Sequence, residues 1–185
     1  MHLKKNIFIN KYLYIILLIL LTLLTSFREA DYSKISKDIL RNYVKAFACP
    51  RRLMLTSQGG AMMDDVQVIS LSFLSFDALD IDQARVLYVD MMEELLHRIN
   101  SHEKIRSHLH NYPFEESNIE LMIGFDDQNR HILGDGHVAL MFIGKNNTLL
   151  YRAYDRVIEQ FYSLHTEPYK EARRIVTNLR DNALQ

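Results

Sequence analysis

The sequence predicts an α+β fold: an N-terminal transmembrane or signal-anchor helix, then one domain. That domain is expected to hold a mostly antiparallel sheet of about four strands, with two or three helices on one face. Three observations carry this expectation. An apolar run fills Tyr12 to Leu24, interrupted only by Thr22. A capped amphipathic stripe runs from Asp80 towards Tyr112, and a strict apolar alternation follows at Ile119 to Phe125. Periods near 3.6 and 2 in one chain, with strands on both sides of the long helix, point to mixed architecture.

Residues 1–28 set the address. Lys4, Lys5 and Lys11 precede the apolar run, the order of a charged leader and a hydrophobic segment. Sixteen residues from Tyr12 to Phe27 exceed a usual signal-peptide core and fall short of the roughly 20 of a spanning helix. Leu24 or Arg28 would occupy the −3 position of the nearest cleavage sites, so an uncleaved single-pass signal anchor is favoured over a removed signal peptide. Arg28, Lys34, Lys37 and Arg41 on the far side nearly balance the leader lysines. The short leader still favours an extracytoplasmic domain, which is secreted or periplasmic if the segment is cleaved.

Residues 29–65 read as a membrane-proximal helix and linker. Ile35, Ile39, Leu40, Tyr43, Val44 and Phe47 repeat at helical steps, with Asp31 or Ser33 as cap. Pro50, Arg51-Arg52 and Gly59-Gly60 then suggest a flexible connection. Cys49, the single cysteine, excludes an internal disulfide and is expected to be a partly buried helix-end residue.

The domain proper is expected over 66–185. Val66 to Phe76 has β-branched and aromatic residues in alternation, with Ile69, Leu71 and Phe73 on one side. Asp80 with Gln83 forms a capping box, and Leu79 with Ala84 a weak hydrophobic staple. Behind them Ala84, Leu87, Tyr88, Met91, Leu95 and Ile99 make one helical stripe, widened by Val89, Met92 and Leu96. Arg85, Asp90, Glu93, Glu94 and Arg98 read as the solvated face, and Pro113 ends the helix. Beyond the 119–125 strand, Val138 to Ile143 and Leu149 to Tyr154 are joined by Asn146-Asn147, a pair suited to a tight hairpin. Arg156 to His165 fits either a helix or an edge strand. Thr166 is expected to cap a last helix with Pro168 in its first turn and Tyr169, Ala172, Val176 and Leu179 inward.

Composition excludes several classes. A net charge of −1 offers no electrostatic case for nucleic acid. Six glycines, none at phosphate-loop or dinucleotide spacing, imply no nucleotide cofactor, and no other cofactor is indicated. Eight histidines invite a metal, and Glu94-Leu95-Leu96-His97 repeats one Glu-x-x-His step. One copy on a strand-rich chain makes Glu94 and His97 weak ligand candidates, and a hydrogen-bonding histidine face is the simpler reading. Arg106, with His102 and Tyr112 near the helix end, is the weak candidate for a catalytic or binding cluster. Asp80 and Asp82 are explained by capping, Asp126 and Asp127 by a turn. Two function classes follow. One is a non-enzymatic interaction or structural module, attached to the membrane through its N-terminal helix and meeting a protein partner or further copies of itself. The other is a small exported enzyme or ligand-binding domain with its site at the end of the central helix.

Overall fold

The computed structural model describes residues 31–134 and 136–183. Helix α1 (Asp31–Tyr43) continues through a π turn at Val44–Ala48 into a short 3-10 turn at Cys49–Arg51. Strands β1 (Met54–Ala61) and β2 (Val68–Ser75) come next, then the capped helix α2 (Ile81–Ser101) and the single turn α3 (Glu103–Arg106). Strands β3 (Ile119–Phe125), β4 (Leu140–Ile143), β5 (Thr148–Asp155) and β6 (Gln160–Pro168) precede helix α4 (Tyr169–Ala183). The α+β class is therefore as expected, with six strands in place of about four.

The six strands lie in one sheet in sequence order. Four of the five pairings are antiparallel; β2 and β3 are parallel, in register from Ile69↔Ile119 to Ser75↔Phe125. A parallel pair cannot be closed by a hairpin, so α2 is the crossover that returns the chain. This explains why the helix stops at Ser101 and not at Tyr112. Twenty-one residues rise roughly 31 Å, slightly more than the roughly 26 Å span of eight-residue β2. His102 then turns extended (ψ 103°), and the Asn100 amide clamps the backbone N–H and C=O of Phe114 at 2.7 and 2.9 Å. The chain doubles back beside Val66, which exchanges hydrogen bonds with His108 and His110.

One further segment differs from expectation and another resolves an open alternative, and one physical reason made both hard to read. Met54–Ala61 falls in the expected linker and Gln160–Pro168 in the ambiguous stretch, yet each is an edge strand. Their side chains are mostly exposed on both faces, so no apolar alternation marks them. Thr166 lies in β6 opposite Leu150 and does not cap α4. Cys49 is exposed. Asn146 and Asn147 do take positive φ, 57° and 52°, at the β4–β5 turn.

The alternate residues Ile69, Leu71, Phe73, Leu121, Ile123 and Met141 point to one side and join the core with α1, α2 and α4. Tyr hydroxyls bolt these layers together. Tyr43 Oη donates to Met91 O at 2.9 Å and thereby ties α1 to α2. Tyr88 Oη donates to Leu121 O at 2.8 Å and accepts from Ile143 N at 3.1 Å, so α2 grips β3 and β4 together. Burial raises both phenols well above the usual tyrosine range, which keeps them as donors. At the surface, Glu93 receives Arg173 at 2.9 Å and Arg180 at 2.7 Å, linking α2 to α4. Ile39, Leu40 and Tyr43 are core residues, so the helix expected to be membrane-proximal packs with the sheet.

Among the described residues no helix is long and apolar enough to cross a membrane. The expected signal anchor over 1–28 lies outside them. Leu95, fully buried on α2, gives a direct check of the inward face. Leu95→Asp is expected to cost more than about 4 kcal/mol by leaving an unpaired charge in the core. Loss of the cooperative thermal transition is the predicted result; an unchanged Tm would show that another face points inward.

Candidate functional site

Among the described residues three places stand out by their chemistry: the end of α2, the buried polar network at its start, and the outer side of the sheet. The first collects most of the residues singled out from sequence. Glu94, His97, Arg98, Ser101 and His102 line a crevice of about 360 Å³, closed on the other side by Ile39 and Asn42 of α1. Steps of three and four along α2 put them on one stripe. Arg98 Nε donates to Glu94 Oε1 at 2.7 Å, which neutralises the carboxylate. His97 Nδ1 and Ser101 Oγ stand 3.4 Å apart. His102 Nδ1 is buried with no hydrogen-bond partner among the described residues.

The two sets of candidates are thus redistributed. His102 joins Glu94 and His97 in this crevice. Arg106, exposed, donates from Nε to Asn100 O at 3.2 Å and lays its guanidinium over the Tyr112 ring at 5.4 Å. It caps a carbonyl left open where α2 ends, a structural task for a cation at a helix C-terminus. Among the described residues no three His, Cys, Asp or Glu side chains group as a metal-binding set. With Glu94 engaged by Arg98, the crevice offers histidine and serine hydrogen bonds to a small polar molecule.

The second place was not legible in the sequence. Arg85, read as a solvated residue, is only 8% exposed. Its Nε donates to Glu167 Oε1 at 2.8 Å, and a second nitrogen pairs with Asp82. Tyr151 Oη donates to the same Glu167 oxygen at 2.5 Å, and His165 Nε2 lies 3.8 Å from the other. Burial lowers the tendency of Arg85 to stay charged, but Glu167 and Asp82 more than offset this and hold its pKa above the usual range. Burial and the Glu167 carboxylate both raise the Tyr151 phenol. Each member is satisfied within the network, which reads as a joint between α2, β5 and β6. The only sequence signal was parity: Glu167 falls on the inward side of β6, opposite Leu149.

The third place is the face of the sheet turned away from the helices. Leu74, Met122, Leu140, Phe142 and Leu150 lie there on neighbouring strands, continued by exposed Phe161 and by Met54 at the edge. The first five are half-buried or exposed, with Met122 at 42%. Polar contacts border them: Ser57 with Ser72 at 3.2 Å, Ser70 with Glu120 at 2.5 Å, and Arg152 donating to Phe161 O at 3.0 Å. A contiguous apolar surface with a polar rim is the usual form of an interaction site. Protein-family models, curated proteins and solved structures contain no match to the chain.

The network makes a quantitative prediction. Glu167→Gln leaves Arg85 buried with only Asp82 as its anionic partner and is expected to destabilise the domain by about 3 kcal/mol. Tyr151→Phe removes one hydrogen bond to a charged group and should cost about 2 kcal/mol. Chemical denaturation measures both; a Glu167→Gln variant as stable as the parent would show that the joint is dispensable.

Proposed function

We propose that this protein is a membrane-directed interaction module. Its N-terminal hydrophobic segment delivers the chain to the membrane as a single-pass anchor. The α+β domain, outside the cytoplasm, offers the uncovered face of its sheet to a protein partner or to further copies of itself. The observation that carries the reading is the row Leu74, Met122, Leu140, Phe142 and Leu150, apolar on a face that no helix among the described residues covers. Burying such a face is favourable by about 25 cal/mol per Å² of apolar area. A folding role does not account for it, because the core lies on the opposite side.

A second reading rests on one observation, the unpartnered His102 Nδ1 in the crevice beside His97 and Ser101. On that reading the domain is a small exported enzyme or ligand-binding protein. The two readings separate in one comparison. Met122→Glu puts a charge in the centre of the open face, where the parent side chain is 42% exposed. It is expected to leave Tm within about 2 °C, since a surface change of this kind costs about 0.5 kcal/mol or less. Native mass measurement of the full-length chain extracted in mild detergent should show the assembly lost. An unchanged assembly would contradict the interaction reading, and a small molecule retained by the parent but not by His102→Ala would establish the second.

A further inference from the structure

We propose that the partner of the uncovered sheet face is a second copy of this chain, packed face to face with Glu120 of each copy against Arg152 of the other. This rests on the interaction reading and names the occupant of that surface.

Charge selects the occupant. Across the six strands the outward side carries two charged residues, Glu120 on β3 and Arg152 on β5, one of each sign. Glu120 is exposed and Arg152 half-buried. Glu120 accepts from Ser70 Oγ and Arg152 donates to Phe161 O, but neither forms an ion pair among the described residues.

Register explains why they do not meet within one chain. Met122, Phe142 and Leu150 stand side by side on β3, β4 and β5. Glu120 lies two residues before Met122 and Arg152 two residues after Leu150, on strands that run the same way. The charges therefore occupy opposite corners with Phe142 midway. One strand spacing and a rise of two residues put each about 8 Å from Phe142, and the pair about 16 Å apart.

A two-fold axis lying in the plane of the face, through Phe142 and across the line joining the charges, exchanges these corners. Glu120 of either copy then meets Arg152 of the other, and Phe142 meets its own counterpart on the axis. Met122, Leu140 and Leu150 surround that centre. A two-fold dimer needs a surface complementary to itself, and one positive and one negative corner about an apolar centre supply it. The same exchange turns the strands of one copy steeply across those of the other, towards the orthogonal class of sheet packing. A lipid surface gains nothing comparable, because the two charges cancel and the face has no net attraction for anionic headgroups.

Size is sufficient. Six strands about 4.8 Å apart, over about seven residues of 3.3 Å rise, give the face roughly 650 Å² in outline. Side-chain relief brings this near the roughly 800 Å² per partner that a stable complex buries. Charge pairs at the margin of such a patch set register and choice of partner more than affinity.

The test is charge exchange between copies. Full-length chains in mild detergent are compared by native mass: the parent, Glu120→Arg, Arg152→Glu, and an equimolar mixture of the two variants. We expect the parent to be dimeric and each variant alone to dimerise about a hundredfold more weakly, since every dimer then sets like charges together at two places. The mixture should form dimers containing one chain of each kind, because both corners are again of opposite sign. Each variant should melt within about 2 °C of the parent, as expected for surface changes. A parent that stays monomeric at its highest soluble concentration would overturn the proposal, and so would a mixture that associates no better than its components. If the parent instead joins an assembly with another protein that Met122→Glu abolishes, and the exchanged pair shows no recovery, the second copy is refuted and the interaction reading stands. An assembly unmoved by Met122→Glu and by both charge variants would refute the two together.

Discussion

The parallel pairing of β2 with β3, the one such pair among the described strands, is the constraint from which the molecule's asymmetry follows. Every other neighbouring pair of strands is antiparallel and joined locally, so none needs to cross the sheet. β2 and β3 alone require a crossover, and α2 supplies it on one face. Once α2 lies there, α1 and α4 find apolar partners beside it and pack on the same side. One face becomes the core of the domain. The other is left, among the described residues, with a row of apolar side chains, and the interaction reading starts from that imbalance.

What keeps α2 in place is polar as much as apolar. Tyr88 reaches through the core to the β3 and β4 backbones, Tyr43 brings α1 to the α2 backbone, and the Arg85–Glu167–Tyr151 joint fastens the start of α2 to β5 and β6. Buried hydroxyls and a buried ion pair add little net stability compared with well-packed hydrocarbon. Their value lies in specificity, because each is satisfied at one register of helix on sheet. A one-residue slip of β6 would move Glu167 to the opposite face and leave Arg85 with Asp82 alone.

The parts legible in the sequence were those with local signals. Asp80 and Gln83 announced α2, and the capping box is formed with Asp80 Oδ1 2.8 Å from Gln83 N. Alternation fixed β3 and the inward face of β2, and Asn146-Asn147 marked the β4–β5 turn. β1 was missed as a strand and β6 stayed open between helix and edge strand, because strands exposed on both sides have no period to read, and the bare Gly59-Gly60 pair resembles a linker. The parallel pairing was hidden for a different reason: it depends on contacts fifty residues apart, such as Ile69 with Ile119. Of the site candidates, the α2 stripe predicted that Glu94 and His97 would share a surface. It could not show that His102 would join them while Arg106 turned away to cap Asn100, because that depends on the break at His102.

Methionine oxidation tests the central claim, that the uncovered sheet face is occupied in the native state. Met63 is 87% exposed away from the sheet face, Met122 is 42% exposed on the open face, and Met141 is fully buried on the other side of the sheet. Dilute peroxide should oxidise Met63 and Met122 in the purified monomer and spare Met141. In membranes from the cell that makes the protein, peptide mapping should find Met63 oxidised and Met122 protected. Met122 oxidising in those membranes at its monomer rate would mean that nothing docks on this face.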